Sequence, residues 1–171
     1  MLAVAAEFDP RRILRTLGEH KVRFVLIGGQ AATAQGSTSL TADIDIVYAR
    51  DRENLAHLAS ALAALGASLR GADQALPFRP DAETLRRGLN FTFSTRFGPL
   101  DCLGEAAGAF TFEALARNAD SYDIAEINVQ VAALDDLIAM KRAAGRPKDL
   151  IEVENLAALR EVREGRGRRR R

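Results

Sequence analysis

The stretch FVLIGGQAATAQGSTSLTADIDIVYA, Phe24 to Ala49, decides how the chain is read. An apolar run ends in two glycines, small residues follow, and Asp43 and Asp45 then interrupt a second apolar run. Side chains at i and i+2 of a strand point to the same face. A strand over Asp43–Tyr48 therefore projects both acids together and turns Ile44, Ile46 and Tyr48 the other way. Adjacent carboxylates repel, and partial burial raises the cost of ionising both. A divalent cation reverses that penalty: Mg²⁺ takes one or two carboxylates and completes its octahedron with water and phosphate oxygens. The bland alternative, a solvated strand end, stays open for the acid pair taken alone.

The glycines weigh on the metal side. Gly28 and Gly29 end the run Val22–Ile27, read as a strand, and turn the chain into a short helix, QAATAQ. Glycines at such a junction let backbone N–H groups approach an anion, and the helix N-terminus favours negative charge there. A tight turn would also explain two glycines. A phosphate cradle and a carboxylate pair on successive elements is the combination that suggests chemistry.

Outward from this stretch, the pattern is of strands mixed with helices. Asp9-Pro10 opens a helix with Ile13, Leu14 and Leu17 on one face. Asp51 caps another, with Leu55, Leu58, Leu62 and Leu65, which ends at Gly66. A polar loop is expected over Gly71–Pro80 and a short helix over Asp81–Arg87. LNFTFST alternates as a half-buried strand, and PLDCLG is its expected hairpin partner after a turn at Gly98-Pro99. Helices are expected over Phe110–Arg117, Leu134–Ala144, and from an Asp149 cap to about Val162, with one or two strands in YDIAEINVQVAAL. The expected class is α/β or α+β: a mixed β-sheet with helices packed on it and a C-terminal helical part from about residue 134.

Composition bounds the function. A chain of 171 residues, 47% apolar and 27% charged, is expected to form one globular domain, placed here at residues 1–164. No apolar stretch reaches eighteen residues, so no membrane partner is expected, and MLAVAAEFDPRR lacks a signal-peptide pattern. A single cysteine, Cys102, excludes an internal disulfide and fits a cytoplasmic location. His20 and His57 lack zinc-type spacing and read as helix-surface residues. The last six residues hold five arginines, so the net charge of +1 hides a body of −4. Residues 165–171 are expected to be a disordered basic tail, either simply solvated or an electrostatic arm for RNA or another polyanion.

Gly28-Gly29, a thirteen-residue spacer and Asp43-Ile44-Asp45-Ile46 resemble the signature of the nucleotidyltransferase superfamily of DNA polymerase β type. Within it, the chain is most similar to the toxin-associated branch, the AbiEii-like nucleotidyltransferases and their bacterial relatives. The resemblance spans roughly Val22 to Leu159. It implies a nucleotidyltransferase fold and a third carboxylate on a later strand, for which Asp101 in GPLDCLG is the candidate; a water-facing strand-edge acid is the alternative. Cys102 points the opposite way and reads as a small core residue.

Lys141 falls on the apolar face of its helix with Leu134, Leu137 and Ile138. Either it snorkels to water, or that face lines a cleft and the ammonium meets a triphosphate. The resemblance implies the latter, followed by an Arg/Lys-x-Asp element that here is Arg146-Pro147-Lys148-Asp149, whose members could equally be solvated or an N-cap. It further implies metal ligation by Asp43, Asp45 and Asp101, catalytic roles for these and Lys141, and nucleotide contacts from Gly28, Gly29, Gln30, Thr41, Arg146 and Asp149. The implied cofactors are two Mg²⁺ ions, with Mn²⁺ as a substitute, and an NTP as substrate. The implied acceptor is an RNA, tRNA in particular, or a protein hydroxyl, with a cognate toxin or antitoxin as partner. Two departures stand out: Gln30 replaces the usual Ser after glycine, and Ser39 replaces an Arg before Thr41 and Asp43. They keep a second function in view, that of an inactive nucleotide-binding or toxin–antitoxin partner-binding protein of the same fold.

Overall fold

The apolar run Phe24–Ile27 is buried on both faces, so it sits in the middle of a sheet rather than at its edge. The computed structural model describes residues 7–72 and 78–169. In chain order the elements are α1 (Pro10–Glu19), β1 (Phe24–Ile27), α2 (Gly28–Ala34), β2 (Ile44–Tyr48), α3 (Arg52–Ala64), β3 (Ser68–Leu69), α4 (Ala82–Arg87), β4 (Asn90–Thr95), β5 (Gly98–Leu103), β6 (Glu105–Ala106), β7 (Phe110–Thr111), α5 (Phe112–Ala116), β8 (Asp120–Ile124), β9 (Ile127–Val131), α6 (Leu134–Ala144) and α7 (Pro147–Arg168).

Seven strands form one mixed sheet in the order β3-β4-β5-β2-β1-β9-β8, and β6 and β7 make a separate ribbon. β2 runs parallel to β5 and antiparallel to β1, and β1 runs parallel to β9. The helical C-terminal part, α6 and α7, packs beside α2 at the carboxyl end of β1. The expected mixed sheet with packed helices is the observed architecture.

The core gathers where apolar periodicity predicts it. Ile13, Leu14 and Leu17 of α1 and Leu58, Leu62 and Leu65 of the α3 region are fully or almost fully buried. They belong to one cluster with Ile44, Ile46, Tyr48, Leu100 and Phe93 from the sheet. Two buried amides close polar gaps. Asn54 of α3 accepts from Arg23 N–H at 2.7 Å and donates to the carbonyls of Arg23 (3.0 Å) and Ala49 (2.7 Å), tying the start of β1 to the end of β2. Gln35, at the end of α2, donates to Asp120 (2.8 Å) and the Ala132 carbonyl (3.0 Å). It accepts from Tyr122 Oη (3.0 Å) and Arg163 (2.6 Å), and Arg163 also donates to its backbone carbonyl. Such fully satisfied buried groups hold elements in one arrangement, because an orphaned partner would be costly.

Several boundaries differ from expectation, each for a local reason. Gly28 and Gly29 are the first turn of α2 itself, because Gly28 reaches φ +67° directly after β1. Asp43 lies one residue before β2. The β4–β5 hairpin turns at Arg96-Phe97, and Gly98-Pro99 already belongs to β5. Phe110-Thr111 pairs with Glu105-Ala106, which leaves α5 to start at Phe112. Arg146, not Asp149, caps α7. Asp149 is the third residue of that helix and bonds back to the cap. α7 also continues to Arg168, so residues 165–168 of the expected disordered tail are helical; residues 170 and 171, residues 1–6, and 73–77 of the expected Gly71–Pro80 loop lie outside the described residues.

Candidate active site

Parallel pairing of β2 with β5 places Asp45 directly beside Asp101 in register. Side chains in register share a face, so the two acids stand together although fifty-five residues of chain separate them. Asp43 joins them from the bend before β2. One carboxylate oxygen from each of Asp43, Asp45 and Asp101 lies within 4.8 Å of the others. That spacing suits a divalent cation shared among hard oxygen donors. Thr41 Oγ1 donates to Asp43 at 2.7 Å, which orients that carboxylate.

The electrostatics point the same way. Burial raises the Asp45 carboxyl to about 7, and the charges of Asp43 and Asp101 push it in the same direction, with Lys141 opposing. A buried acid crowded by two others is unstable as an anion until positive charge arrives. Cys102, next to Asp101, is fully buried on the opposite face, and burial pushes its thiol far up, as suits a core residue rather than a nucleophile.

Gly28 and Gly29 sit against these acids. A Cβ on Gly28 would collide with the Asp45 carboxylate, and Gly28 also adopts a left-handed φ of +67°. A Cβ on Gly29 would stand 2.6 Å from Thr41 Cβ. Both positions are restricted to glycine by close approach, and the N-terminal turn of α2 is thereby held against the carboxylates. A cleft of about 310 Å³ opens over them, lined by Gly28, Gly29, Thr41, the three acids, Lys141 and Arg146. A smaller apolar hollow of about 180 Å³, formed by Leu103, Ala106, Leu137 and Met140, adjoins it and shares Gly28, Asp45, Lys141 and Arg146.

Two cations on the C-terminal wall, Lys141 and Arg146, are engaged in ion pairs. Lys141 pairs with Glu152 at 2.7 Å and with Asp149 at 3.3 Å. Burial pulls its ammonium down, but these two acids outweigh that and raise it overall. Asp149 is completely buried and also accepts from Arg146 Nε at 2.7 Å and from the Arg146 backbone N–H at 3.2 Å. The Arg146 bond holds the Asp149 carboxyl below its usual range, against burial and with help from Lys141.

Most of the residues singled out in the sequence thus converge on one cleft, with two qualifications of place. Gln30 is not among the residues that line it, because it follows the glycines into the body of α2. Asp149 lies behind Lys141 and Arg146 and meets the smaller hollow rather than the main cleft. Sequence reasoning missed Glu152, Ser37 and Arg70. Helical spacing from Asp149 could have found Glu152, three residues on. Arg70 follows a two-residue strand that leaves no periodic signal, and it donates to Asp101 Oδ1 at 2.7 Å.

No protein-family model matches the chain, and no curated protein matches it by sequence. Solved structures do. The lincosamide antibiotic adenylyltransferase LnuA, with lincomycin bound, superposes with a TM-score of 0.59 at 13% identity, covering 90% of this chain and 99% of that one. The antibiotic-resistance factor ANT(2'')-Ia in complex with adenylyl-2''-tobramycin gives 0.51 at 19% identity, covering 90% and 94%. A Thermotoga maritima protein assigned as a nucleotidyltransferase gives 0.50 at 16% identity, covering 90% and 92%. The chain has the fold that these nucleotidyltransferases share, over nearly its whole length.

Proposed function

We propose that the protein is a Mg²⁺-dependent nucleotidyltransferase that moves a nucleoside monophosphate from an NTP onto an acceptor hydroxyl. The observation that carries this reading is the convergence of Asp43, Asp45 and Asp101 within 4.8 Å beside the Gly28-Gly29 helix start. The donor set fits Mg²⁺, since all three ligands are hard carboxylate oxygens; Mn²⁺ would serve the same set. When bound, two such ions would stabilise the attacking and leaving oxygens of an in-line displacement. Asp43 and Asp45 would hold the ion that accompanies the triphosphate, and Asp101 would join them for the other. The backbone N–H groups at the start of α2 receive the outer phosphates. The acceptor oxygen bonds to the α-phosphorus, the bond to pyrophosphate breaks, and the hydroxyl proton leaves by way of Asp101. Lys141 and Arg146 offset the charge gathering on pyrophosphate.

For the acceptor we favour RNA. α7 lines the cleft with Lys148, Glu152 and Leu156 and then carries Arg166 and Arg168, with Arg169 at its C-cap. At 1.5 Å per helical residue, Leu156 to Arg166 is about 15 Å, a span that a few unpaired nucleotides cover. A polyanion gripped by those arginines would present its 3′ hydroxyl at the acids. A second reading, a nucleotide-binding partner in a toxin–antitoxin pair without transferase activity, is favoured by Ser39 standing where the resembled branch carries Arg, and by Lys141 being engaged by two acids.

The test is a transfer assay with Mg²⁺, each labelled NTP in turn, and cellular RNA, lysate protein, an aminoglycoside and a lincosamide as separate acceptors. Label in RNA is expected, reduced about a thousandfold in Asp43→Ala, the scale of losing a main electrostatic stabiliser. Label in an antibiotic or one protein band would replace the acceptor and keep the reaction. Mg²⁺-dependent NTP binding with no label anywhere would select the second reading, and near-normal transfer by Asp43→Ala would sink the assignment.

A further inference from the structure

Asp101 is held differently from its two companions. Its Oδ1 accepts from Arg70 Nη2 at 2.7 Å, and the same nitrogen donates to the Phe93 carbonyl at 3.0 Å. Arg70 is fixed at its other end too, since its backbone N–H donates to the Thr92 carbonyl at 2.9 Å. Thr92 is the residue opposite Asp101 on β4. Arg70, Thr92, Asp101 and Asp45 therefore follow one another across the sheet, from its edge to the acid cluster.

We propose that Arg70 is a positioning residue that fixes the Asp101 carboxylate by one oxygen and leaves the other toward Asp43 and Asp45. This rests on the reading of the triad as a metal site. Asp101 is the acid added from a separate strand, so its orientation decides whether the cluster offers two ligands or three. A merely structural salt bridge explains less. The Arg70 side chain is 38% exposed, and pairs that exposed contribute little to folding. The clamp through Phe93 and Thr92 gives the guanidinium one position, which a stability contact at a sheet edge does not require. Groups that orient metal ligands in this way typically change metal affinity or activity ten- to a hundredfold when removed.

The experiment titrates Mn²⁺ into the protein with a non-hydrolysable NTP analogue, by electron paramagnetic resonance, for wild type, Arg70→Ala, Arg70→Lys and Asp101→Asn. Wild type is expected to take up two ions. Arg70→Ala should weaken the second ion about tenfold or more and leave the nucleotide-borne ion and analogue affinity unchanged. Arg70→Lys should recover part of the loss, and Arg70→Ala in an Asp101→Asn background should change nothing further. In transfer, kcat should fall while the KM for NTP stays constant. Should Arg70→Ala melt early, Arg70→Gln, which can still donate to the Phe93 carbonyl, carries the same readouts. Two ions held equally well by Arg70→Ala or Arg70→Gln and by wild type would overturn the role of Arg70 alone. No Mn²⁺ uptake by wild type would overturn the metal reading of the triad and this inference with it.

Discussion

Two charged clusters face each other across the cleft, and they are built on opposite principles. On the sheet side, Asp43, Asp45 and Asp101 crowd together, and burial and mutual repulsion push Asp45 up to about 7. On the helix side, Lys141, Arg146, Asp149 and Glu152 satisfy one another through ion pairs of 2.7–3.3 Å. The helical cluster is complete as it stands. The acid cluster lacks the charge that would complete it, apart from Arg70 at one corner. Charge left in deficit is a site for something that arrives, and in the proposed reaction the paired cations opposite are held where they would meet the phosphates that come with it.

The strongest way to break the comparison is Asp149→Asn. Asp149 is fully buried and anchors both cations, so loss of its charge leaves Arg146 without an ion pair and Lys141 with Glu152 alone, and weakens the cap bond of α7. Because those cations are partly exposed, a destabilisation of about 2–3 kcal/mol is expected, read as a lower midpoint in thermal or urea unfolding. Asp45→Asn should do the reverse, relieving repulsion and leaving the midpoint unchanged or higher.

A pH series sharpens the contrast. The folded Asp45 carboxyl sits above its unfolded value of 3.8, so the native state holds its proton more tightly than the unfolded chain. Without metal, the Asp45 contribution should therefore destabilise the fold progressively as pH rises from about 4 to about 7, and level off above. Saturating Mg²⁺ should flatten the slope, and Asp45→Asn should remove it. A metal-independent slope surviving in Asp45→Asn would mean that another group carries it. The smallest effect is expected for Glu152→Gln. Its ion pair with Lys141 is partly exposed, so the cost should stay below about 1 kcal/mol. Nucleotide affinity should rise as Lys141 loses one of its two paired acids and keeps only Asp149, which calorimetry would register.

The two clusters were unequally legible in the sequence. Acids inside apolar strand-like runs, at Asp43, Asp45 and Asp101, are conspicuous because an apolar strand has no packing use for them. Glycines at the end of β1 were legible for the same kind of reason. The helix-side network was legible only in part: Lys141 stood out on an apolar helix face, but Glu152 and the ion pairs that join it with Lys141, Arg146 and Asp149 show only when α6 and α7 are seen to pack together. Asp149 reads as an N-cap by type, and only the geometry shows Arg146 in that place. Gln35 and Arg70 depend wholly on contacts between distant segments. Strand order, with β9 beside β1 and β3 at the edge, likewise follows from packing that local periodicity does not encode.

The pairing of Asp45 with Asp101 on parallel strands has one more consequence, for how the chain reaches its native form. A slip of one residue between β2 and β5 would turn one strand over. It would drive Asp45 or Asp101 into the layer now filled by Ile44, Ile46, Leu100 and Phe93. Burying a lone carboxylate there would cost several kcal/mol, far more than a misplaced leucine. The acids thereby set a penalty on a sheet assembled out of step, and the penalty falls at the residues on which the proposed activity would depend.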